Sequence, residues 1–420
     1  MTTRWGECYA QRMEGMDSSV IKEFLKFTEQ PEVISFSGGF PAPEIFPLKE
    51  CEEACCKILR EKGAQALQYG TTEGYVPLRQ FIVEKMARYG IKATVDNVLI
   101  THGSQQALDL IGKVFIDPGD TILLGAPSYV GGIQAFTAYQ PRYVTVPLDD
   151  EGMRVDLVEE ELEKGCPKFI YVLPNFHNPA GVTLSEGRRQ RLVVLANECG
   201  VPLMEDDPYG ELRYEGDHIS PLVVLDERHR SERTEGKANA EGFFEGNVIY
   251  MSTFSKTLAP GLRLGWVVAP VEVVDRLVQA KQGADLHTST FTQVLAYEIV
   301  RTGFLDGHVR EIRKVYKERR DVMLKAMEEH FPEGVIWTRP QGGLFLWVTL
   351  PEEIDAAELL KEAVKERVAF VPGFAFFADG RGHNTMRLNF SNAQPEMIQE
   401  GIRRLGKVIE KRLEMAKAVT

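Results

Sequence analysis

Through the middle of the chain, short apolar runs of strand length alternate with stretches in which apolar residues return every three or four positions. The runs at 98–101, 121–125, 142–146, 169–173, 202–205, 248–251 and 264–269 read as seven strands. The intervening stretches at 105–115, 185–199 and 271–282 read as helices. Such alternation predicts an α/β fold with a largely parallel seven-stranded sheet and helices on both faces. The pattern changes after residue 300. A long charged helix at 305–330 leads to strands at 343–350 and 385–391 with a helix between them, which predicts a smaller α+β domain. At the other end, a helix at 18–28 precedes the Gly/Pro-rich segment Ser37-Gly38-Gly39-Phe40-Pro41-Ala42-Pro43, expected as an arm packed on the C-terminal domain. The division expected is a large domain over 48–300 and a small one from 1–47 and 301–420. The run 226–246, rich in charge and glycine, reads as a long surface loop.

Composition narrows the partners. The 420 residues carry a formal net charge of −12, which argues against nucleic acid or an anionic membrane surface as the main partner while leaving room for a local positive pocket. No apolar run approaches the roughly 20 residues of a membrane span, and the first residues lack a signal-peptide pattern. None of the six cysteines forms a C-x-x-C pair. Cys51, Cys55 and Cys56 fall at helical spacing and read as small core-facing residues, without a metal. Free thiols in this number fit a reducing cytosol, hence a cytoplasmic protein.

Open sheets bind ligands at the carboxyl ends of their strands, so chemistry is sought just after each one. After 248–251 comes Ser252-Thr253-Phe254-Ser255-Lys256, with Arg263 seven residues beyond the lysine. A lysine at the end of a core strand loses hydration, which lowers its pKa and leaves a nucleophilic neutral amine. The hydroxyls of Thr253 and Ser255 and the Arg263 guanidinium beside it suit a phosphate. An amine next to a phosphate site suggests pyridoxal 5′-phosphate.

Other strand ends carry weaker signals. His102-Gly103-Ser104-Gln105 opens a helix, whose free N–H groups either seat an anion or form a plain turn with Ser104 as N-cap. Tyr129 follows the strand at 121–125 and either stacks on a flat ring or belongs to the core. Asn178, before Pro179, is either a turn residue or a donor to a ligand oxygen; His177 is structural or supporting. Asp206 and Asp207 precede Tyr209; acids at a core strand end need a partner, such as a pyridinium nitrogen, unless they cap a helix.

Taken in order, these residues resemble the fold-type-I, pyridoxal-phosphate-dependent class I aminotransferases over nearly the whole chain, and most closely the 2-aminoadipate, kynurenine and aromatic group. The resemblance is carried by SFSGGFPAPEIFP, LQYGTTEGYVPLR, THGSQQALDL, PNFHNPAG, EDDPYGELRY, STFSKTLAPGLRLGW and MRLNFSN. It implies that Lys256 is the Schiff-base lysine and Asp206 the acid facing the ring nitrogen. Tyr209 and Asn178 become donors to the ring 3′ oxygen, and Tyr129 the stacking aromatic. Gly103, Ser104, Gln105, Thr253 or Ser255, and Arg263 become the phosphate shell. It further implies a homodimer in which Tyr69 serves the neighbouring subunit's phosphate, and Arg387 as the grip on a substrate α-carboxylate. The strand pattern supports the last: Arg387 and Asn389 share one face, Met386, Leu388 and Phe390 the other. Gly39 and Asn178 would border the substrate. Lys22 is either a solvated helix lysine or a charge for a distal carboxylate. The activity implied is transfer of an amino group from an L-amino acid (2-aminoadipate, aromatic or branched-chain) to a 2-oxo acid such as 2-oxoglutarate, by ping-pong kinetics. The alternatives are a β-lyase on the same fold and a non-catalytic cofactor-binding sensor; the latter's usual winged-helix domain is not expected here, since the matching region starts almost at residue 1. A dinucleotide-binding dehydrogenase is disfavoured by the lack of G-x-G-x-x-G after a strand.

Overall fold

The computed structural model describes residues 3–16, 32–233 and 244–419. Its strands are β1 (Ile34–Ser35), β2 (Val98–Thr101), β3 (Thr121–Ala126), β4 (Arg142–Asp149), β5 (Gly152–Met153), β6 (Ile170–Val172), β7 (Leu203–Asp206), β8 (Val248–Thr253), β9 (Gly265–Val268), β10 (Ile336–Trp337), β11 (Phe345–Thr349), β12 (Val368–Ala369), β13 (Val371–Pro372) and β14 (Thr385–Asn389). The main sheet has the order β2-β9-β8-β7-β6-β3-β4-β5. It has eight strands, one more than the periodicity predicts. The addition is β5, a two-residue edge strand antiparallel to β4, too short to show any periodicity. The pairs β8–β7, β7–β6, β6–β3 and β3–β4 are parallel; β9 runs antiparallel to both β2 and β8.

The central strands read as unbroken apolar runs because both sheet faces are covered. Along them, alternate side chains enter two separate cores. Ile100, Leu123, Ile170, Leu203, Tyr250 and Trp266 pack on one face with the helices Leu48–Ala66, Val76–Arg88, Glu186–Cys199 and Thr290–Val300. Leu99, Leu124, Tyr171, Met204, Met251 and Val267 pack on the other with Gly103–Phe115 and Val271–Asp285.

A second, antiparallel sheet (β10-β11-β14-β13) is backed by the helices Phe304–His330, Ala356–Lys365 and Pro395–Val419 over a third core. The described part of the arm is stitched into this unit: β1 pairs parallel with β12, the Phe36 carbonyl accepts from Asn389 N, and Ala42 N donates to the Tyr316 hydroxyl. The helix expected at 18–28, and Lys22 with it, lies outside the described residues.

Two expectations change. The run 226–246 is not all loop: the helix Leu222–Arg233 takes its first part. Asp226 anchors that helix from a buried position, accepting from Asn197 Nδ2 (2.6 Å) and Asn247 N (2.8 Å), which its charge-rich neighbours conceal in the sequence. Of the three clustered cysteines, Cys51 and Cys55 pack against the core but Cys56 is exposed. Among the described residues no helix is long and apolar enough to cross a membrane, and no cluster could hold a metal ion.

Candidate active site

The carboxyl ends of β2, β3, β6, β7 and β8 open onto one cleft of about 380 Å³ where the two sheet units meet. It is lined by Gly39, Ser104, Gln105, Tyr129, Asn178, Asp206, Tyr209, Thr253, Ser255, Lys256, Arg263 and Arg387, so most of the residues singled out in the sequence converge there. Leu173, Phe345 and the arm residues Phe40 and Pro41 complete the wall.

The anion seat is built by close backbone approach. Gly103 has φ +71° and starts the helix Gly103–Phe115, leaving first-turn N–H groups without helical acceptors. A Cβ on Gly103 would stand 2.6 Å from Arg263 Nη2, and one on Gly265 only 2.7 Å from Ser104 N. Glycine at both positions therefore lets the turn and the guanidinium touch. Arg263 itself sits in the left-handed region (φ +51°, ψ +46°), an uncommon conformation outside glycine. The reversal of β9 is what delivers it: Gly265 pairs with both Thr101 and Thr253, so Arg263, two residues before β9, arrives at the carboxyl end of its neighbours. Ser104 is not the N-cap; its Oγ is buried with no partner among the described residues. The Thr253 hydroxyl is tied within its own turn, bonded to the Leu264 carbonyl (2.8 Å) and to the Ser255 hydroxyl (2.9 Å) and accepting from Ser255 N (3.1 Å), so that both hydroxyls line the seat as a linked pair. The Gln105 side chain is held by Gly131 O (2.7 Å) and Tyr129 OH (3.4 Å), so only its backbone is free for an anion.

At the other end of the cleft three consecutive acids are sorted by their partners. Glu205 accepts from the Leu222 and Val223 N–H groups and caps the helix Leu222–Arg233. Asp207 accepts from Asn175 Nδ2 and Gly210 N (2.9 Å each) and the Tyr250 hydroxyl (3.2 Å). Asp206 accepts the Tyr171 hydroxyl on Oδ2 (2.7 Å), whereas its Oδ1 is buried with no partner among the described residues. Burial raises the Asp206 pKa to about 7, with the Tyr171 hydrogen bond pulling the other way. A cationic N–H opposite Oδ1 would remove that penalty.

Lys256 Nζ donates to the Gly39 carbonyl (2.8 Å). Desolvation, then the charges of Arg387 and Arg263, lower its pKa to about 8. The neutral amine is the reactive form, so its fraction grows as pH rises and levels off above the pKa; at pH 7 it is roughly a tenth, against well under a thousandth for an ordinary lysine. Capture of an aldehyde by cofactor-stripped protein, trapped with borohydride, is therefore expected to rise about tenfold per pH unit below pH 8 and to flatten by about pH 9. A rate still climbing steeply at about pH 10 would contradict the lowered pKa.

Arg387 is buried, with no acid beside it among the described residues. Nη1 donates to Asn178 Oδ1 (2.9 Å), Nη2 to the Ser37 carbonyl (2.6 Å), and Nε has no partner among the described residues. Its guanidinium carbon lies 4.3 Å from the Phe345 ring centroid and 4.9 Å from that of Phe376, so two π faces take the place of a counter-ion. Burial lowers its pKa to about 10, which still leaves it charged at pH 7 and short of an anion. Asn178, whose bond to Pro179 is cis, links Arg387 to Tyr209, its Nδ2 lying 3.5 Å from the Tyr209 hydroxyl. His177 is neutral and structural: burial drops its pKa to about 3, and Nδ1 accepts Ala180 N (3.3 Å).

Tyr69 stands outside the cleft of its own chain, 78% exposed, edge-on to His287 at 5.7 Å. Sequence reasoning missed Tyr171, Phe345, Phe376, Gly265 and the Ser37 carbonyl. A glycine inside a strand pattern was the one available signal, for Gly265; buried aromatics look alike in a sequence. The donor set fits pyridoxal phosphate: an amine of lowered pKa, an acid with one oxygen unpaired, and an anion seat of N–H groups, hydroxyl and guanidinium.

Comparison with known proteins points the same way. Residues 34–405 match the family Aminotransferase class I and II. The chain is 48% identical to the aromatic-amino-acid aminotransferase 1 of Thermococcus litoralis, over 98% of this chain and 96% of that one. It is 45% identical to the 2-aminoadipate transaminase of Thermus thermophilus, over 97% of each. The crystal structure of the alpha-aminoadipate aminotransferase LysN from Thermus thermophilus, complexed with N-(5′-phosphopyridoxyl)-L-leucine, superposes with a TM-score of 0.89 at 43% identity, covering 98% of this chain and 100% of that one.

Proposed function

The chain belongs to the aminotransferase class I and II family, and we propose that it moves the amino group of 2-aminoadipate, aromatic or branched-chain L-amino acids to a 2-oxo acid such as 2-oxoglutarate, in two ping-pong half-reactions. It is a pyridoxal-phosphate-dependent aminotransferase of fold type I; neither the β-lyase nor the sensor alternative is favoured by its relatives. The donor range proposed is that of the relatives' names and of the leucine adduct, together with a cleft whose far wall is apolar (Phe40, Pro41, Leu173, Phe345).

When bound, the cofactor supplies a carrier for the amino group and a sink for the electrons left when the substrate loses its Cα proton. The protein's own groups do the rest. Gly103, Ser104, Gln105, Ser255 and Arg263 hold the phosphate, and Thr253 fixes the turn. Asp206 Oδ1 accepts from the protonated ring nitrogen, and Asn178 and Tyr209 donate to the ring's 3′ oxygen. Tyr129 bounds the ring. Lys256 Nζ, close enough to neutral to act at pH 7, would take the proton from the substrate Cα and pass it to the cofactor carbon that bears the amino nitrogen. Arg387 holds the α-carboxylate, with the Ser37 and Gly39 carbonyls at the same edge. The observation that carries this reading is the meeting, in one cleft, of a partly neutral lysine with a buried arginine that has no acid beside it among the described residues.

Arg387→Ala is expected to raise KM for the amino acid about 100-fold, with a smaller change in kcat, since the grip acts on substrate and transition state alike. Arg387→Lys should recover only part, because an ammonium cannot make the fork. Unchanged KM in steady-state kinetics would remove Arg387 from substrate binding. For the donor range, the purified enzyme is incubated with a panel of amino acids and 2-oxoglutarate; glutamate formation with 2-aminoadipate, phenylalanine and leucine is expected. Ammonia release without an oxo acid would instead revive the lyase.

The large unit is read as 48–300 and the small unit as 1–47 with 301–420, supported by their separate cores. A cytoplasmic homodimer is inferred. Its support is the exposed Tyr69, flanked by Leu67 (72% exposed) and Leu286 (50% exposed), a group of large side chains placed to reach a second copy. Sedimentation at a single chain's mass would exclude it.

A further inference from the structure

The acid assigned to the ring nitrogen is itself held by a tyrosine, and the geometry of that pair decides which oxygen faces the cleft. Tyr171 on β6 pairs in register with Met204 on β7, and Asp206 stands two residues further along the same face. That offset aims the phenol at the carboxylate: Tyr171 OH donates to Asp206 Oδ2 at 2.7 Å, with both side chains almost fully buried (1% and 2% exposed). The tyrosine ring has little freedom. It packs edge-on against Phe136 (5.4 Å, 82°) and lies over Gly132, where a Cβ would approach it to 3.0 Å. Among the described residues a phenol so placed has the carboxylate as its one acceptor, and the carboxylate is left with Oδ1 alone to meet a ligand.

We propose that Tyr171 is a positioning residue that fixes the rotation of the Asp206 carboxylate and stabilises its charged form, so that Oδ1 meets the cofactor ring nitrogen as an anion. The inference rests on the reading of Asp206 given above. A hydrogen bond to the ionised acid favours ionisation, and burial opposes it. Without the phenol, burial acts unopposed by any other side-chain hydrogen bond and the acid drifts toward its neutral form, which cannot keep the ring nitrogen protonated. Tyr171 also pins the torsion of Asp206, since no other group among the described residues bonds to either oxygen.

The test is a double-mutant cycle on the holoenzyme with Tyr171→Phe, Asp206→Asn and the pair. Phenylalanine keeps the ring against Phe136 and Gly132 and removes only the hydroxyl. Tyr171→Phe is expected to weaken the equilibrium binding of pyridoxal phosphate about tenfold and to lower kcat about tenfold, the scale of a hydrogen bond to a charged group. KM for the amino acid should stay unchanged, because Arg387 is not touched. With ¹⁵N-labelled cofactor, the ring-nitrogen resonance should move toward its unprotonated position. In the Asp206→Asn background, the same substitution should change cofactor affinity and kcat by less than about twofold. Additive losses would assign Tyr171 to packing and overturn the proposal, as would a Tyr171→Phe enzyme equal to the parent beside an impaired Asp206→Asn enzyme. An Asp206→Asn enzyme equal to the parent would sink the reading of Asp206 first, and the role of Tyr171 with it.

Discussion

Lys256→Ala is expected to lose at least about 10⁴-fold in kcat, the upper scale of a lost general base, because the same amine also anchors the cofactor. Among the described residues nothing is placed to replace it. The nearby bases are engaged: Asp206, which lines the cleft, is turned by Tyr171, and Asp207 beside it in the chain is locked by Asn175, Gly210 and Tyr250. His177 is held in its own turn. Arg387 stays charged at neutral pH. The cofactor should still bind through the anion seat, so a colourless protein is not expected, but borohydride should fix none of it to the chain. Small primary amines such as methylamine should restore a minor part of the rate by entering the space left by the side chain. The measurement is a single-turnover half-reaction with one amino acid, followed by absorbance. Turnover at the parent's rate would remove Lys256 from the chemistry.

Asp206→Asn is expected to cost about 10²–10³-fold in kcat, as loss of one oriented electrostatic partner does elsewhere. Size and shape are kept, and Tyr171 can still donate to the amide oxygen, so the fold should persist. What is lost is a buried negative charge placed to meet a cationic ring nitrogen. Neither neighbour can substitute: Glu205 points to the opposite face, where it caps a helix, and Asp207 is held by three donors. Because Arg387 is untouched, KM for the amino acid should change far less than kcat. Equal losses in both would indicate a collapsed site instead of a missing charge, and steady-state kinetics with thermal melting separates the two.

The chemistry was legible where residue type and strand position coincide. Lys256, at the end of a core strand, advertised a use by the cost of its charge there, and the main-sheet strands showed as apolar runs because both faces are buried. By residue type Asp206 was one of three consecutive acids at a strand end, and only the family resemblance singled it out as the one facing the cleft. Physically, the choice among the three follows from partners on β8, the turn at 207–210 and the helix Leu222–Arg233, which the chain brings together only on folding. Tyr171, Phe345 and Phe376 carried no signal, since an aromatic in an apolar run reads as core whether or not its edge or face serves a neighbouring charge.

By itself, the order of residues determined the α/β alternation, the lysine after a core strand and the glycine-opened turn, which rest on local periodicity, turn chemistry and the cost of a charge at a strand end, while Arg387 was singled out by the family resemblance. Only the tertiary structure decided that Arg263 meets Gly103, that the arm offers carbonyls to Lys256 and Arg387, and that one oxygen of Asp206 is held while the other is free. Those contacts join segments up to 350 residues apart, set by the reversal of β9 and by strand register, and neither quantity is written in any short stretch of sequence.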